Sequence, residues 1–207
     1  MSAQTESHDR SEHRDFLNQY YGWSRHIYDL TRKYYLIGRE YALAELLDEP
    51  WERLIEIGPG TGRNLRKLRR KRPNALLGGV EASDQMLSHA RERCPWATLI
   101  HGFAEDADYT ELLGGRPDRV LFSYCLSMVQ DPVAALTNAR DALAPGGEVL
   151  VVDFGDLNGI RQPVRGALQR FLNHWHVRPL DTELLKQFDA DLSDGLGAYY
   201  CIARIRT

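Results

Sequence analysis

The sequence predicts one α/β domain built on a doubly wound parallel sheet, with an N-terminal helical lid and a final antiparallel strand. Three observations predict it. From Trp51 to Asp156 short apolar strands alternate with helical stretches, the pattern of a parallel sheet covered on both faces. A loop with glycines at Gly58, Gly60 and Gly62 follows the first of these strands, and an acidic residue, Glu81, closes the second. At 207 residues and 43% hydrophobic the chain can bury the core such a sheet needs.

Residues 1–12 are polar. Phe16, Tyr20, Trp23, Ile27, Leu30 and Tyr34 then recur at steps of three and four, which lays an aromatic stripe on one helix face. A second helix is expected from Gly38 to Leu47, closed by Asp48, Glu49 and Pro50. Next come a strand in "RLIEIG", a helix in "GRNLRKLRRK", a strand in "ALLGGVEA" and a helix in "DQMLSHARER". "ATLIHG" and "RVLFSYC" read as the third and fourth strands, "DPVAALTNARDAL" as a helix and "GEVLVVDFG" as the fifth strand. Beyond Asp156 the pattern weakens to helices around residues 166–175 and 181–188, before "AYYCIARIR" ends the chain as a strand. Residues 1–50 are thus expected to form an extension or lid, and residues 51–207 the ligand-binding domain.

In an open parallel sheet, ligands sit beyond the carboxyl ends of the strands at the switch point, which is where the glycine loop falls. A dinucleotide loop would read G-x-G-x-x-G, but here the third glycine comes one residue early and Arg63 takes its place. No Gly-Lys-Ser/Thr follows, so a Walker phosphate loop is excluded too. Glu56, ahead of the loop, favours a cation and repels a pyrophosphate. Glu81, 23 residues after Gly58, stands where an acid accepts hydrogen bonds from both ribose hydroxyls. A nucleoside with a positively charged tail meets these demands, and S-adenosylmethionine is such a molecule.

The stretches "LIEIGPGTGRNL", "VEASDQML", "HGFAEDA" and "ALAPGGEVLVVDFG" resemble, in order and spacing, the motifs of Rossmann-like class I S-adenosylmethionine-dependent methyltransferases. The resemblance covers residues 51–155. It implies a donor site formed by Glu56, Gly58, Gly60, Gly62, Glu81, Ala82, Met86, Gly102, Phe103, Ala104, Ser123 and Tyr124, with S-adenosylhomocysteine as product, and Tyr28 of the N-terminal helix is expected over the donor. Phe103 departs from the pattern, because many members carry Asp there to bond the adenine amino group. Phe103 would pack on the ring, leaving that bond to Glu105 or a backbone carbonyl. "YYGWSRHIYDLTRKYYLIGRE", "LFSYCLSMVQD", "VVDFGD" and "HWHVRPLDTEL" are similar to bacterial N-methyltransferases that make betaine lipids from diacylglyceryl-homoserine. That likeness implies Tyr20, Tyr28 and Tyr124 as catalytic residues, and Tyr21, Arg32, Ser127, Asp153 and Asp156 near the acceptor, with Arg165 an alternative to Arg32. Phosphatidylethanolamine, a small soluble amine, or donor binding without turnover are the other readings.

Tyrosine-rich walls suit methyl transfer to an amine, since hydroxyls orient the nitrogen and rings attract the quaternary product. Seven cations from Arg63 to Arg72, or else the aromatic N-terminal helix, suggest a foothold on an anionic membrane surface. The formal charge of −3 gives no reason to expect nucleic acid, and three unpatterned cysteines suggest neither disulfides nor a zinc site. His174 and His176 do not have zinc-pair spacing, so no metal is expected. No apolar run is long enough to span a bilayer. The expected location is therefore cytoplasmic, with peripheral contact at the inner face of the membrane.

Overall fold

The computed structural model describes residues 36–174 and 179–207. The aromatic stripe of residues 16–34 and the segment around Trp175 and His176 lie outside the described residues. The chain opens with α1 (Gly38–Asp48), then β1 (Arg53–Ile57), α2 (Arg63–Lys71), β2 (Leu76–Glu81), α3 (Asp84–Arg93) and β3 (Thr98–His101). It continues through α4 (Tyr109–Leu113), β4 (Arg119–Ser123), a 3₁₀ turn (Leu126–Met128), α5 (Pro132–Ala142), β5 (Glu148–Phe154) and α6 (Val164–His174). The last elements are α7 (Thr182–Lys186), β6 (Asp191–Gly195) and β7 (Tyr200–Arg206).

The strands form one sheet in the order β3-β2-β1-β4-β5-β7-β6. β1 to β5 pair in parallel, while β7 runs antiparallel to both β5 and β6. The expected parallel sheet with a terminal antiparallel strand is therefore what forms. The strand order reverses between β1 and β4, so the switch point stands at the carboxyl end of β1.

Side chains alternate along each strand, so each strand feeds both faces. Leu54, Leu121, Leu150 and Val152 pack on one face with Leu65 and Leu68 of α2 and Leu87 and Ala90 of α3. Ile55, Ile57, Phe122 and Val151 pack on the other with Tyr109, Leu136 and Leu185. This double burial explains why the strands read as continuous apolar runs.

Two elements escaped the sequence reading. α4 is a single turn capped by Asp108, which accepts from the Glu111 amide, and it is too short to show a helical period. β6, "DLSDG", is an edge strand whose residues are almost all exposed, so no apolar alternation marks it. The boundary expected at residue 50 also does not follow the packing. Ala42, Leu43 and Leu46 of α1 share a core cluster with Trp51 and Leu54, and the Trp51 indole donates to the Leu46 carbonyl at 2.6 Å.

Ion pairs fix the other side of α1. Glu45 pairs with Arg204 of β7 at 2.9 Å, and Arg204 also meets Glu148 at 3.5 Å. The buried Arg119 joins Glu148 at 3.4 Å and Glu49 at 3.0 Å. α1 is thus part of the domain.

Leu46 is fully buried. Leu46→Ala is expected to lower unfolding free energy by about 2–5 kcal/mol in urea titrations, the usual cost of a core leucine truncation. A change under about 0.5 kcal/mol would show α1 to be an appendage.

Candidate functional site

The site begins where β1 ends. Gly58, Gly60 and Gly62 all have positive φ, at 60°, 58° and 72°. The turn closes through the Gly58 amide donating to the Val80 carbonyl and the Gly62 amide to the Pro59 carbonyl, both at 2.9 Å. Two of the glycines answer different needs. A Cβ on Gly62 would stand 2.6 Å from Cys94 Sγ, so that glycine lets α2 pack on α3. A Cβ on Gly60 would meet no described residue within 4 Å, so among the described residues that glycine leaves an open approach above the loop.

Two carboxyl groups flank this opening. Glu81, at the end of β2, is buried, and its oxygens accept from the Gly60 amide at 2.9 Å and the Ser83 amide at 3.0 Å. Ser83 in turn caps α3, its hydroxyl accepting from the Met86 amide at 3.4 Å. Glu56, 2% exposed on β1, takes a hydrogen bond on Oε1 from Asn64 Nδ2 at 2.7 Å. Its Oε2 and the Asn64 Oδ1 are buried with no donor among the described residues. Burial pushes the Glu56 carboxyl from its ordinary 4.5 up to about 8, and Glu81 adds to the rise. The Asn64 hydrogen bond and the Arg39 guanidinium pull the other way.

β3 leads into the opposite wall. The Gly102 amide donates to the Glu81 carbonyl at 3.2 Å, and His101 meets the Ala82 carbonyl at 3.0 Å. Phe103 is half-buried and packs edge-on to His101 at 6.3 Å. The Ala104 carbonyl accepts from the Tyr109 hydroxyl at 2.8 Å and from Asn138 at 2.9 Å. Glu105 accepts from the Asp131 amide at 3.1 Å, which ties this wall to the start of α5. Met86 is buried on α3.

At the end of β4, Ser123 is buried and its hydroxyl has no partner among the described residues. Tyr124 follows at φ 55°, an unusual backbone state for a bulky residue and one often found at functional sites. Its hydroxyl accepts from the Gly38 amide at 3.2 Å, where α1 has no side-chain cap. The Tyr124 hydroxyl thus anchors the start of α1 and keeps its own proton to donate. Burial and the nearby Asp153 raise its pKa, so it stays a neutral phenol.

Asp153 lies within β5, buried, and accepts from the Phe154 amide at 2.9 Å. Asp156 is exposed and holds Asn158 in a turn, away from Glu56 and Glu81 in its bonding. Ser127 is exposed on the 3₁₀ turn. Arg165 bonds to Asn158. Tyr20, Tyr21, Tyr28 and Arg32 lie outside the described residues.

Asn64 and Arg39 were missed in the sequence. A polar residue beside Leu65 on the inward face of a short helix was the available sign for Asn64. Nothing marked Arg39, which only the docking of α1 brings to the loop. The basic run also looks different once folded. Arg63 and Lys67 pair with Glu40 of α1, and Arg69 and Arg72 donate to the Ala75 and Glu49 carbonyls at 3.3 and 2.7 Å. Arg69 also lies over Trp96 and Arg72 over Trp51. Arg66, Arg70 and Lys71 remain exposed.

Residues 28–191 match the methyltransferase domain family. The chain belongs to that family. Its sheet order and fold are those of class I S-adenosylmethionine-dependent methyltransferases. A malonyl-[acyl-carrier protein] O-methyltransferase of Xylella fastidiosa is 30% identical over 123 residues, which cover 56% of this chain and 41% of that protein. A ubiquinone/menaquinone biosynthesis C-methyltransferase of Caulobacter is 28% identical over 180 residues, 81% of this chain and 66% of that protein. The match thus spans 41% to 66% of the length of these curated relatives.

Among solved structures, a plantazolicin methyltransferase bound to a substrate analogue and S-adenosylhomocysteine superposes with a TM-score of 0.70. It is 13% identical, with 99% of each chain covered. Phosphoethanolamine N-methyltransferase 2 of Haemonchus contortus, with S-adenosylmethionine, gives 0.66 at 18% identity, over 88% of this chain and 46% of that one. At these identities the likeness is one of fold.

The Glu56 carboxyl sets a pH dependence. A folded-state pKa raised to about 8 means the native protein holds a proton that the unfolded chain has already released above 4.5. Stability without ligand should therefore fall as pH rises from about 4.5 to about 8, then level. Glu56→Gln is expected to remove this slope and to exceed the parent by a few kcal/mol at pH 8. Denaturant titrations at pH 5, 6.5 and 8 check it, and parallel curves for the two proteins would refute it.

Proposed function

We propose that the protein transfers a methyl group from S-adenosylmethionine, and that its acceptor is an amine carried on a lipid. One observation carries the donor half. Under the glycine loop, Glu56 Oε2, once its proton is released, and Asn64 Oδ1 are two buried acceptors with no hydrogen-bond partner among the described residues. A buried acceptor without a donor costs about 1–3 kcal/mol, so the pair suits a ligand that brings several N–H groups at once. The α-ammonium of the donor's amino-acid end is such a group, and its positive charge would return Glu56 to the carboxylate form.

The remaining residues fit the rest of the molecule. Glu81, held by the Gly60 and Ser83 amides, presents a carboxylate to a ribose diol. The space that the described residues leave above Gly60 suits the tail, and the half-buried Phe103 offers apolar surface for the adenine beside Ala104. When bound, the sulfonium supplies an electrophilic methyl group. The chain's own part is to orient: the loop, the two carboxyl groups and the end of β4 define a line of approach, and alignment supplies most of the rate gain in such a displacement. Tyr124, fixed to Gly38, keeps the entrance of α1 at this edge.

The acceptor half rests on the likeness of "YYGWSRHIYDLTRKYYLIGRE" and "LFSYCLSMVQD" to betaine-lipid N-methyltransferases. The O- and C-methyltransferase names of the relatives above stand as the competing chemistries. No helix among the described residues is long and apolar enough to cross a membrane, so a lipid would be met at a surface. The exposed Arg66, Arg70 and Lys71 are the cations left to meet it.

S-adenosylhomocysteine is expected to bind with an affinity that rises between pH 6 and pH 8, as Glu56 gives up its proton. Glu56→Gln should flatten that rise, and Glu81→Ala should weaken binding at least tenfold. Titration calorimetry reads both, and unchanged affinity in the two variants would remove these residues from the site. For the acceptor, the protein is incubated with labelled donor and either diacylglyceryl-homoserine, phosphatidylethanolamine or demethylmenaquinone. Mass spectrometry should show the label on an amine nitrogen, and label on carbon or carboxyl oxygen would overturn the acceptor reading alone.

A further inference from the structure

His101 closes β3, the edge strand of the sheet, in register with Glu81 on the neighbouring β2. Residues two apart on a strand share a face, and Leu99 packs in one cluster with Leu87 and Ala90 of α3. His101 therefore stands on the α3 side of the sheet, beside the turn that joins β2 to α3. Its Nε2 lies 3.0 Å from the Ala82 carbonyl and 3.6 Å from Asp84 Oδ1. Both neighbours are acceptors, so this nitrogen carries the ring proton and donates to the carbonyl. The imidazole also meets the Phe103 ring edge-on, with the two planes 74° apart.

The Ala82 carbonyl matters for what lies at the other end of its peptide. A trans peptide is planar, and its C=O and N–H point in opposite directions. The N–H of this one belongs to Ser83 and donates to Glu81 Oε1 at 3.0 Å. The second oxygen, Oε2, accepts from the Gly60 amide at 2.9 Å. One polar chain thus runs from His101 through the 82–83 peptide and the Glu81 carboxylate to the glycine loop. Bonds in such a chain polarise one another, so it holds as a unit. Gripping the carbonyl end fixes the rotation of the peptide plane, and with it the aim of the Ser83 N–H at Glu81.

We propose that His101 is a positioning residue for the methyl donor. Through the Ala82–Ser83 peptide it sets the orientation of the Glu81 carboxylate that meets the ribose diol. The inference rests on the donor reading and adds to it a residue of β3 that acts through another. A leucine at position 101 would fill similar space without a donor, whereas the amide nitrogen of a glutamine can take the place of Nε2.

Two measurements on the full chain test it. In the ligand-free protein, hydrogen exchange at the Ser83 and Met86 amides reports the bonds to Glu81 and to the Ser83 hydroxyl. His101→Leu should quicken both at least fivefold, and leave the Val120 amide of the central β4 unchanged. His101→Gln should stay within twofold of the parent. By calorimetry, S-adenosylhomocysteine should bind at least fivefold more weakly to His101→Leu, and within twofold of the parent to His101→Gln. In a Glu81→Ala background the same His101→Leu change should cost less than twofold, because the residue it acts through is gone. Unchanged exchange at Ser83 and Met86 would overturn the relay. A loss of affinity that persists without Glu81, or that glutamine does not rescue, would overturn the positioning role. Failure of the parent to bind S-adenosylhomocysteine would sink the donor reading and the ribose role with it, an outcome the exchange rates do not share.

Discussion

The constraint on which the rest of the structure depends is the reversal of the chain at the carboxyl end of β1. Within five residues the backbone must leave the centre of a parallel sheet, turn through three left-handed positions and enter α2. Only glycine takes such angles at little cost. The turn places the Gly60 amide on Glu81 and swings Asn64 of α2 back over Glu56. The loop, its two acids and the helix that packs behind it are thus one unit, and among the described residues no atom lies within 4 Å of a Cβ built on Gly60.

The domain is also braced at the opposite, amino end of the strands. Arg119, Glu148, Arg204, Glu45 and Glu49 form a partly buried ionic cluster where β4, β5 and β7 meet the far end of α1. Removing one partner of such a cluster leaves an uncompensated charge, so its members hold their geometry together. Pinned there, α1 carries its first residues to the site, where the Gly38 amide meets Tyr124 and Arg39 bears on Glu56. The acid that the fold leaves protonated and under-bonded, Glu56, lies near the carboxyl end of the central β1, where a ligand can complete it.

Much of this was legible before any fold was known. The strand–helix alternation, the positions of Gly58, Gly60 and Gly62, and Glu81 at a strand end are properties of short stretches, and short stretches fix turns and periods. α4 and β6 were not legible, one for being a single turn and the other because an edge strand facing solvent on both sides carries no apolar alternation. The basic run misled for a related reason. Cations from Arg63 to Arg72 look alike in sequence, yet Arg63, Lys67, Arg69 and Arg72 are drawn onto Glu40, backbone carbonyls and two tryptophans by α1 and β2, elements distant from them in the chain.

The sequence by itself determined the sheet, the loop and the acids around it, because each depends on backbone angles and side-chain periods set within a few residues. Only the tertiary structure decided which polar atoms go without partners. In sequence Glu56 is legible only as a charge before the loop and Asn64 not at all; their spare oxygens lack partners among the described residues because β1 lies at the centre of the sheet and α2 closes over it. Likewise Leu126 and Leu184, 58 residues apart, face one cavity only because Leu180 docks on the end of β5. Hydrogen-bond satisfaction and cavity shape are sums over contacts from the whole chain, and no local pattern contains them.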